Sequence, residues 1–310
     1  MATSQKIEFK NFHWLNLIKP DKKEIERLGQ AYGFHPLDLA DSLSMSQRSK
    51  IDLYPNYTFL VLLFPFYNRQ TKEILTEELD IFISAKYLVT IHNGNLPVFN
   101  DFFQLFQVTS SRREKYPDKS PEKLLYEILS KLFLYVFPMI EHLGYDCDKI
   151  EKEIFGARRK EMISEILLIR RNITDFRKIM QVHKNVLKKA VVNFKQSSLY
   201  AMKTTDAYFE SLVDYTKEIW DVLENLKERI EAIQQTNESQ ISFRMSDIMR
   251  TLTIISVLTF PVTLLATIFG MNTIHSMPFV NNIFGFWYVV GIMLTMIGTM
   301  IIIFRKKDWL

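Results

Sequence analysis

Residue types that commonly do chemistry are thinly spread in this 310-residue chain. The histidines, His13, His35, His92, His142, His183 and His275, form no H-E-x-x-H run and no paired ligand spacing. Each reads as a surface or hydrogen-bonded core residue. The nine glycines compose neither G-x-x-x-x-G-K-[ST] nor G-x-G-x-x-G, so no phosphate cradle is visible and an ATP-driven pump is disfavoured. Cys147 is the single cysteine, which excludes an intrachain disulfide framework and a cysteine-based zinc site. These patterns indicate neither an enzyme nor a resident cofactor. A different set remains near the C-terminus. Ser246, Met249, Leu252, Ser256, Phe260, Thr263 and Thr267 recur at steps of three and four, on one helical face. Gly270, Met271 and Asn272 follow directly. Such a face suits either helix–helix contact in lipid, where small and hydroxyl residues pack closely, or the wall of a water-filled path.

Those residues sit in a chain whose charge is unevenly placed. Residues 251–304 contain no Asp, Glu, Lys or Arg, and all but one of the 35 acids lie in residues 1–250. With 47% apolar and 24% charged residues, the chain is too apolar for disorder and too charged to be wholly membrane-embedded. The net charge of +4 gives nucleic-acid binding no support, and basic runs such as Arg158-Arg159-Lys160 read as solvated helix faces. Residues 251–270 and 283–304 are each long enough to cross a bilayer core of about 30 Å at roughly 1.5 Å per residue. Arg244 and Arg250 precede the first stretch, Arg305, Lys306 and Lys307 follow the second, and the connection carries no Lys or Arg. The positive-inside rule then predicts a multi-pass cell-membrane protein with both termini cytoplasmic. Residues 1–10 lack the apolar region of a signal peptide.

The charged part divides again. Residues 22–32 predict an amphipathic helix, while 57–64, 79–84 and 87–92 read as strands by their β-branched and aromatic content. The expected organisation is a cytosolic α/β domain over 1–118, a helical region over 119–203 and a long stalk helix over 204–250. A first span follows over 251–270, then an external loop over 271–282, a second span over 283–304 and a basic tail over 305–310. Within the helical region, helices are expected over 121–155 and 158–192. In the stalk, Leu212, Thr216, Ile219, Leu223, Leu226, Ile230, Ile233, Asn237 and Gln240 keep alternating steps of four and three, the pattern of helix–helix packing. Because this seam runs without a breaker into the first span, packing between copies of the chain is the favoured expectation, with packing inside one chain the alternative. Asn237, Gln240 and Ser246 turn the seam polar near the membrane, as an axial water path would require.

Phe269-Gly270-Met271-Asn272 closing the first of two C-terminal spans, with the tail Arg305-Lys306-Lys307-Asp308-Trp309-Leu310, resembles the CorA family of divalent-cation channels. The likeness runs through most of the chain: Trp14-Leu15-Asn16-Leu17, Gly33-Phe34-His35-Pro36-Leu37 with Asp41, Gln47-Arg48-Ser49-Lys50, Ser246-Asp247-Ile248-Met249-Arg250 and Phe260-Pro261-Val262-Thr263 are all similar to the family. The resemblance implies a funnel-shaped homopentamer in which the first span lines the pore and the second lies outside it. It implies that Gly270, Met271 and Asn272 form the selectivity filter, that Thr263 lines the pore, and that Leu252 and Met249 form its apolar constriction. The physics agrees: Mg2+ dehydrates reluctantly, so a ring of neutral Asn272 oxygens can grip the hydrated ion without stripping it. Gly270 lets the helix end sharply, and Met271 packs the loop. A potential of 100 mV does about 4.6 kcal/mol of work on a divalent ion, enough for passive uptake.

The resemblance also implies that cytosolic Mg2+, bound by carboxylates between subunits, closes the funnel. The candidates are Glu210 and Asp214 on the stalk with Glu77, Glu78 and Asp80 of the α/β domain; Ser211 falls where the family's stalk aspartate is expected. Two further departures bear on ion preference. The loop reads Met277-Pro278-Phe279-Val280 where the family commonly has an acid, and Phe269 stands where it often has tyrosine. The alternatives to a Mg2+ channel, with Co2+ or Ni2+ as further cargo, are a zinc transporter resembling the ZntB branch, supported by His275, and a membrane-anchored coiled-coil scaffold.

Overall fold

The computed structural model describes residues 3–44, 48–108, 120–154, 159–197, 199–200, 206–271, 277–279, 282–307 and 309. The chain separates into two compact units, Met1–Gln234 and Gln235–Leu310.

The first unit is built on a six-stranded sheet. Its strands are β1 (Thr3–Glu8), β2 (His13–Ile18), β3 (Lys50–Leu53), β4 (Thr58–Asn68), β5 (Glu73–Ser84) and β6 (Tyr87–His92), in the order β1-β2-β6-β5-β4-β3. The β2–β6 pair is parallel and the other pairs are antiparallel. Helices α1 (Lys22–Tyr32) and α2 (Pro36–Asp41) connect β2 to β3. Asp21 and Glu24 close a capping box at the start of α1, and Gly33, at φ +71°, ends it where a side chain would be strained. On one face Ile25, Leu28 and Phe34 pack with Phe59, Val61, Phe82 and Val89. The opposite face, through Trp14, Leu60, Leu62, Leu79 and Ile81, joins a core shared with the later helices. A sheet covered on both faces has no solvent side, which is why β4 reads as a continuous apolar run with no alternation.

Those helices are α3 (Pro97–Val108), α4 (Pro121–Glu153), α5 (Arg159–Met180), α6 (His183–Gln196) and α7 (Asp206–Phe269). The single helix expected over 158–192 is two, broken at Gln181 and Val182. Buried Ile173, Phe176, Met180, His183, Leu187 and Ala190 keep a helical period straight through the break, so the pattern carried no sign of it. The seam of α7 corrects a second expectation. Leu212, Thr216, Ile219, Leu223, Leu226, Ile230 and Ile233 are buried within the same chain, and their apolar members belong to the shared core. Arg229 pairs with Asp148 and Glu151 of α4, and Arg177 of α5 with Glu224 of α7. This stretch therefore finds its partners inside one chain, because α4 and α5 offer it an apolar face.

The second unit contains the rest of α7 and the final helix α8 (Gly285–Lys306). Both α7 and α8 hold an 18-residue window of mean hydropathy 2.2, and those windows are almost wholly unburied. An apolar helix surface left open in a single chain is suited to lipid or to further copies of the same helix.

Candidate ion pathway

Every member of the stripe on α7 is exposed in the single chain: Ser246, Met249, Leu252, Ser256, Phe260, Thr263 and Thr267. Leu252 is 56% accessible and Phe260 71%. Three of the four stripe hydroxyls have a common arrangement. Ser246 Oγ donates to the Ser242 carbonyl at 3.1 Å, Ser256 Oγ to Leu252 at 2.8 Å and Thr267 Oγ1 to Leu264 at 2.8 Å. With their hydrogens committed to the helix, these oxygens offer outward lone pairs. Such acceptor oxygens suit the water hydrogens of a hydrated cation.

At the end of α7, Gly270 N–H donates to the carbonyls of Ala266 (2.9 Å) and Thr267 (3.2 Å). The helix ends at Phe269, directly before Gly270, and the Gly270 backbone is not left-handed. A β-carbon there would instead meet the Ala266 carbonyl oxygen at 3.1 Å. Met271 is 59% exposed. Asn272 and His275 lie outside the described residues. A glycine that the motif did not single out carries the tighter constraint. At Gly285, the first residue of α8, a β-carbon would fall 2.1 Å from the Phe279 carbonyl oxygen. Phe279 itself sits at φ +72°. No motif of the sequence marked this approach, because it depends on the path of the loop.

Arg305, Lys306 and Lys307 stand exposed at the far end of α8. There they complement the helix dipole.

The candidate regulatory acids lie in different surroundings. Glu77 faces the α3 side of the sheet, where its carboxylate accepts the Asn93 N–H at 2.6 Å and the Asn95 side-chain amide at 2.9 Å. That fixes the turn between β6 and α3. Glu78 and Asp80, two residues apart on β5, share the opposite face. Both are buried, and together with Ser42, Leu43 and Ser44 they border a cavity of about 90 Å³. Burial, reinforced by the neighbouring Glu78 charge, holds the Asp80 carboxyl well above the usual range. Glu210 and Asp214 are exposed on α7, with Glu210 bonded to Lys195 at 3.3 Å. Among the described residues no three His, Cys, Asp or Glu side chains converge as a metal-binding group within one chain.

A model of the family described as CorA-like Mg2+ transporter protein matches residues 9–306. The chain is 27% identical, over 96% of its own length and 83% of the other's, to the cobalt/magnesium transport protein CorA of Thermotoga maritima. It is similar in fold to the complete structure of the CorA magnesium transporter from Methanocaldococcus jannaschii, with a TM-score of 0.83 and 22% identity over 98% of this chain and 94% of that one. It also resembles the ZntB cytoplasmic domain from Vibrio parahaemolyticus, at a TM-score of 0.62 and 10% identity, over 76% of this chain and 89% of that one. That second likeness is one of fold alone.

Proposed function

This chain belongs to the CorA-like Mg2+ transporter family, and on that premise we propose that it carries Mg2+ into the cell as a passive, potential-driven channel. The observation that carries the reading is the family match across both units, from residue 9 to residue 306. The stripe on α7 supports it: seven exposed residues, among them hydroxyls bonded to their own helix, leave oxygens outward and no charge on the path. A neutral oxygen lining lets a strongly hydrated divalent ion pass with its water shell.

In this reading the working form is a homopentamer with α7 around the axis, Asn272 oxygens at the outer entrance, and both termini in the cytoplasm. Leu252 and Met249 form the apolar constriction. Co2+, Ni2+ and Zn2+ are the competing cargoes. Glu210 and Asp214 contribute to closure by cytosolic Mg2+ between neighbouring subunits, where acids that do not converge in one chain could meet. The test is competition flux of Mg2+, Co2+, Ni2+ and Zn2+ through the purified protein in liposomes under an imposed potential, with and without a pH gradient. Potential-driven Mg2+ entry that is indifferent to the pH gradient is expected. Zinc flux that requires the gradient, or no flux of any metal, would overturn the proposal.

A further inference from the structure

In the first unit, outside both spans, a cavity of about 420 Å³ lies between the β4–β5 hairpin and α4. Tyr67, Arg69 and Ile74 line it from the hairpin. From α4 come Tyr135, Met139, His142, Leu143 and Asp146, with Pro138 beside them. Those positions recur at steps of three and four, so one face of the helix makes a wall about 16 Å long at 1.5 Å per residue. The opposite wall is anchored. Asn172 of α5 accepts the Ile74 N–H at 3.0 Å and donates to the Lys72 carbonyl at 2.8 Å, and Arg171 pairs with Glu73 at 2.7 Å. The cavity is therefore preformed, and its volume is that of a small-molecule site.

Its lining is graded. Ile74, Met139 and Leu143 are buried and make an apolar floor. Tyr67 and Tyr135 add rings whose hydroxyls have no hydrogen-bond partner among the described residues. Arg69, His142 and Asp146 are exposed. Neither Arg69 nor Asp146 has a hydrogen-bond or ion-pair partner among the described residues. Partial burial raises the Asp146 carboxyl above its ordinary pKa, against the pull of the His142 and Lys149 charges. The charges that act most on it belong to His142, Lys149, Glu165 and Lys72, and Arg69 is not among them. A cation and an acid, both unpaired, thus stand apart in one cavity.

That separation selects the ligand. A simple anion would leave Asp146 uncompensated, and a simple amine would do the same to Arg69. A free amino acid carries both charges on one carbon, too close together to serve both ends. What fits is an anion at one end, N–H donors at the other and a flat ring between them. The guanidinium fork matches a phosphate, tyrosine rings take the face of a nucleobase, and a carboxylate accepts from a base amine. We infer that this cavity binds a nucleoside monophosphate whose base carries an exocyclic amine, with the phosphate on Arg69, the base against Tyr67 and Tyr135, and the amine on Asp146. A side chain holds the phosphate, so no glycine-rich loop is needed. The inference goes beyond the transport reading and does not rest on it.

The experiment is equilibrium dialysis of radiolabelled nucleotides against the purified full-length protein. AMP, GMP and CMP bear the amine, IMP and UMP lack it, and the matching nucleosides lack the phosphate. The wild type should bind at least one amine-bearing nucleotide saturably, in preference to IMP and UMP. Arg69→Gln should weaken that nucleotide by about tenfold, the scale of a hydrogen bond to a charged group, and leave its nucleoside within about twofold. Asp146→Asn should do the converse, erasing the preference for the amine while keeping the preference for nucleotide over nucleoside. These retained halves of recognition exclude unfolding as the cause. Lys149→Gln removes a charge that acts on Asp146 from outside the cavity and should change binding by less than about twofold. No saturable binding of any amine-bearing nucleotide at millimolar concentration would overturn the inference. Binding indifferent to both cavity substitutions, or equal losses in Arg69→Gln and Lys149→Gln, would overturn it as well.

Discussion

Leu226 of α7 lies over Gly144 of α4: a β-carbon built on the glycine would meet the leucine Cδ2 at 3.9 Å. That is ordinary van der Waals contact, and it ties the seam of the long helix to its own chain. Leu226→Ala should cost about 2–5 kcal/mol, the range for emptying a buried leucine site. Gly144→Ala should be tolerated. Urea unfolding of the purified protein checks both. A Leu226→Ala protein as stable as the wild type, yet changed in oligomeric state, would mean that the seam works between chains.

Asn272→Ala removes the proposed ring of entrance oxygens and should abolish Mg2+ uptake while the oligomer elutes unchanged. Gly270→Ala should be milder than a filter loss, since the Ala266 carbonyl, 3.1 Å from the new β-carbon, has only to give by a few tenths of an ångström. Liposome uptake assays compare the two. Full uptake by the Asn272 variant would remove the selectivity assignment.

Leu252 and Met249 present apolar side chains on successive turns of the stripe, 56% exposed each in the single chain. Narrow apolar rings gate by dewetting. Leu252→Asn should therefore raise the leak of the closed channel. If basal flux is unchanged, the constriction lies elsewhere, with Phe260 the next candidate.

Closure by cytosolic Mg2+ should be weak, in the millimolar range typical of low-charge oxygen sites. Glu210→Gln with Asp214→Asn should weaken it further. Flux measured against internal Mg2+ decides this; tight micromolar closure, or closure indifferent to the double change, places the sensor elsewhere.

His183 is fully buried between the rings of Phe64 (5.4 Å) and Phe133 (5.8 Å). Burial lowers its pKa to about 4, against 6.5 for a free imidazole. The unfolded chain then takes up a proton that the folded chain refuses. The stabilisation is complete above about pH 6.5 and is lost as pH falls toward 4, by a few kcal/mol at roughly 1.4 per pH unit. His183→Leu should flatten the fall in Tm between those limits. An unchanged slope would put the acid sensitivity elsewhere, with His92, also lowered to about 4 by burial, the next to test.

The two spans, their lengths and the α/β character of the first part were legible in the sequence, because each depends on local composition. An uncharged run of 54 residues is a statement about solvent, and the period of three and four on α7 is a statement about one helix. The α1 helix and the β6 strand were likewise recoverable from short-range pattern. Three matters depended on the chain meeting itself. The seam from Leu212 to Ile233 has the same heptad spacing whether its partner is a second copy or α4, and only packing revealed α4. Glu77, Glu78 and Asp80 look equivalent as neighbours in sequence, yet strand alternation sets Glu77 against the β6–α3 turn and buries the other two across the sheet. Gly285 looked like any helix glycine until the Phe279 carbonyl came within 2.1 Å of its missing β-carbon. Periodicity tells which face a residue occupies; what lies opposite that face is a long-range contact, and the local sequence does not encode it.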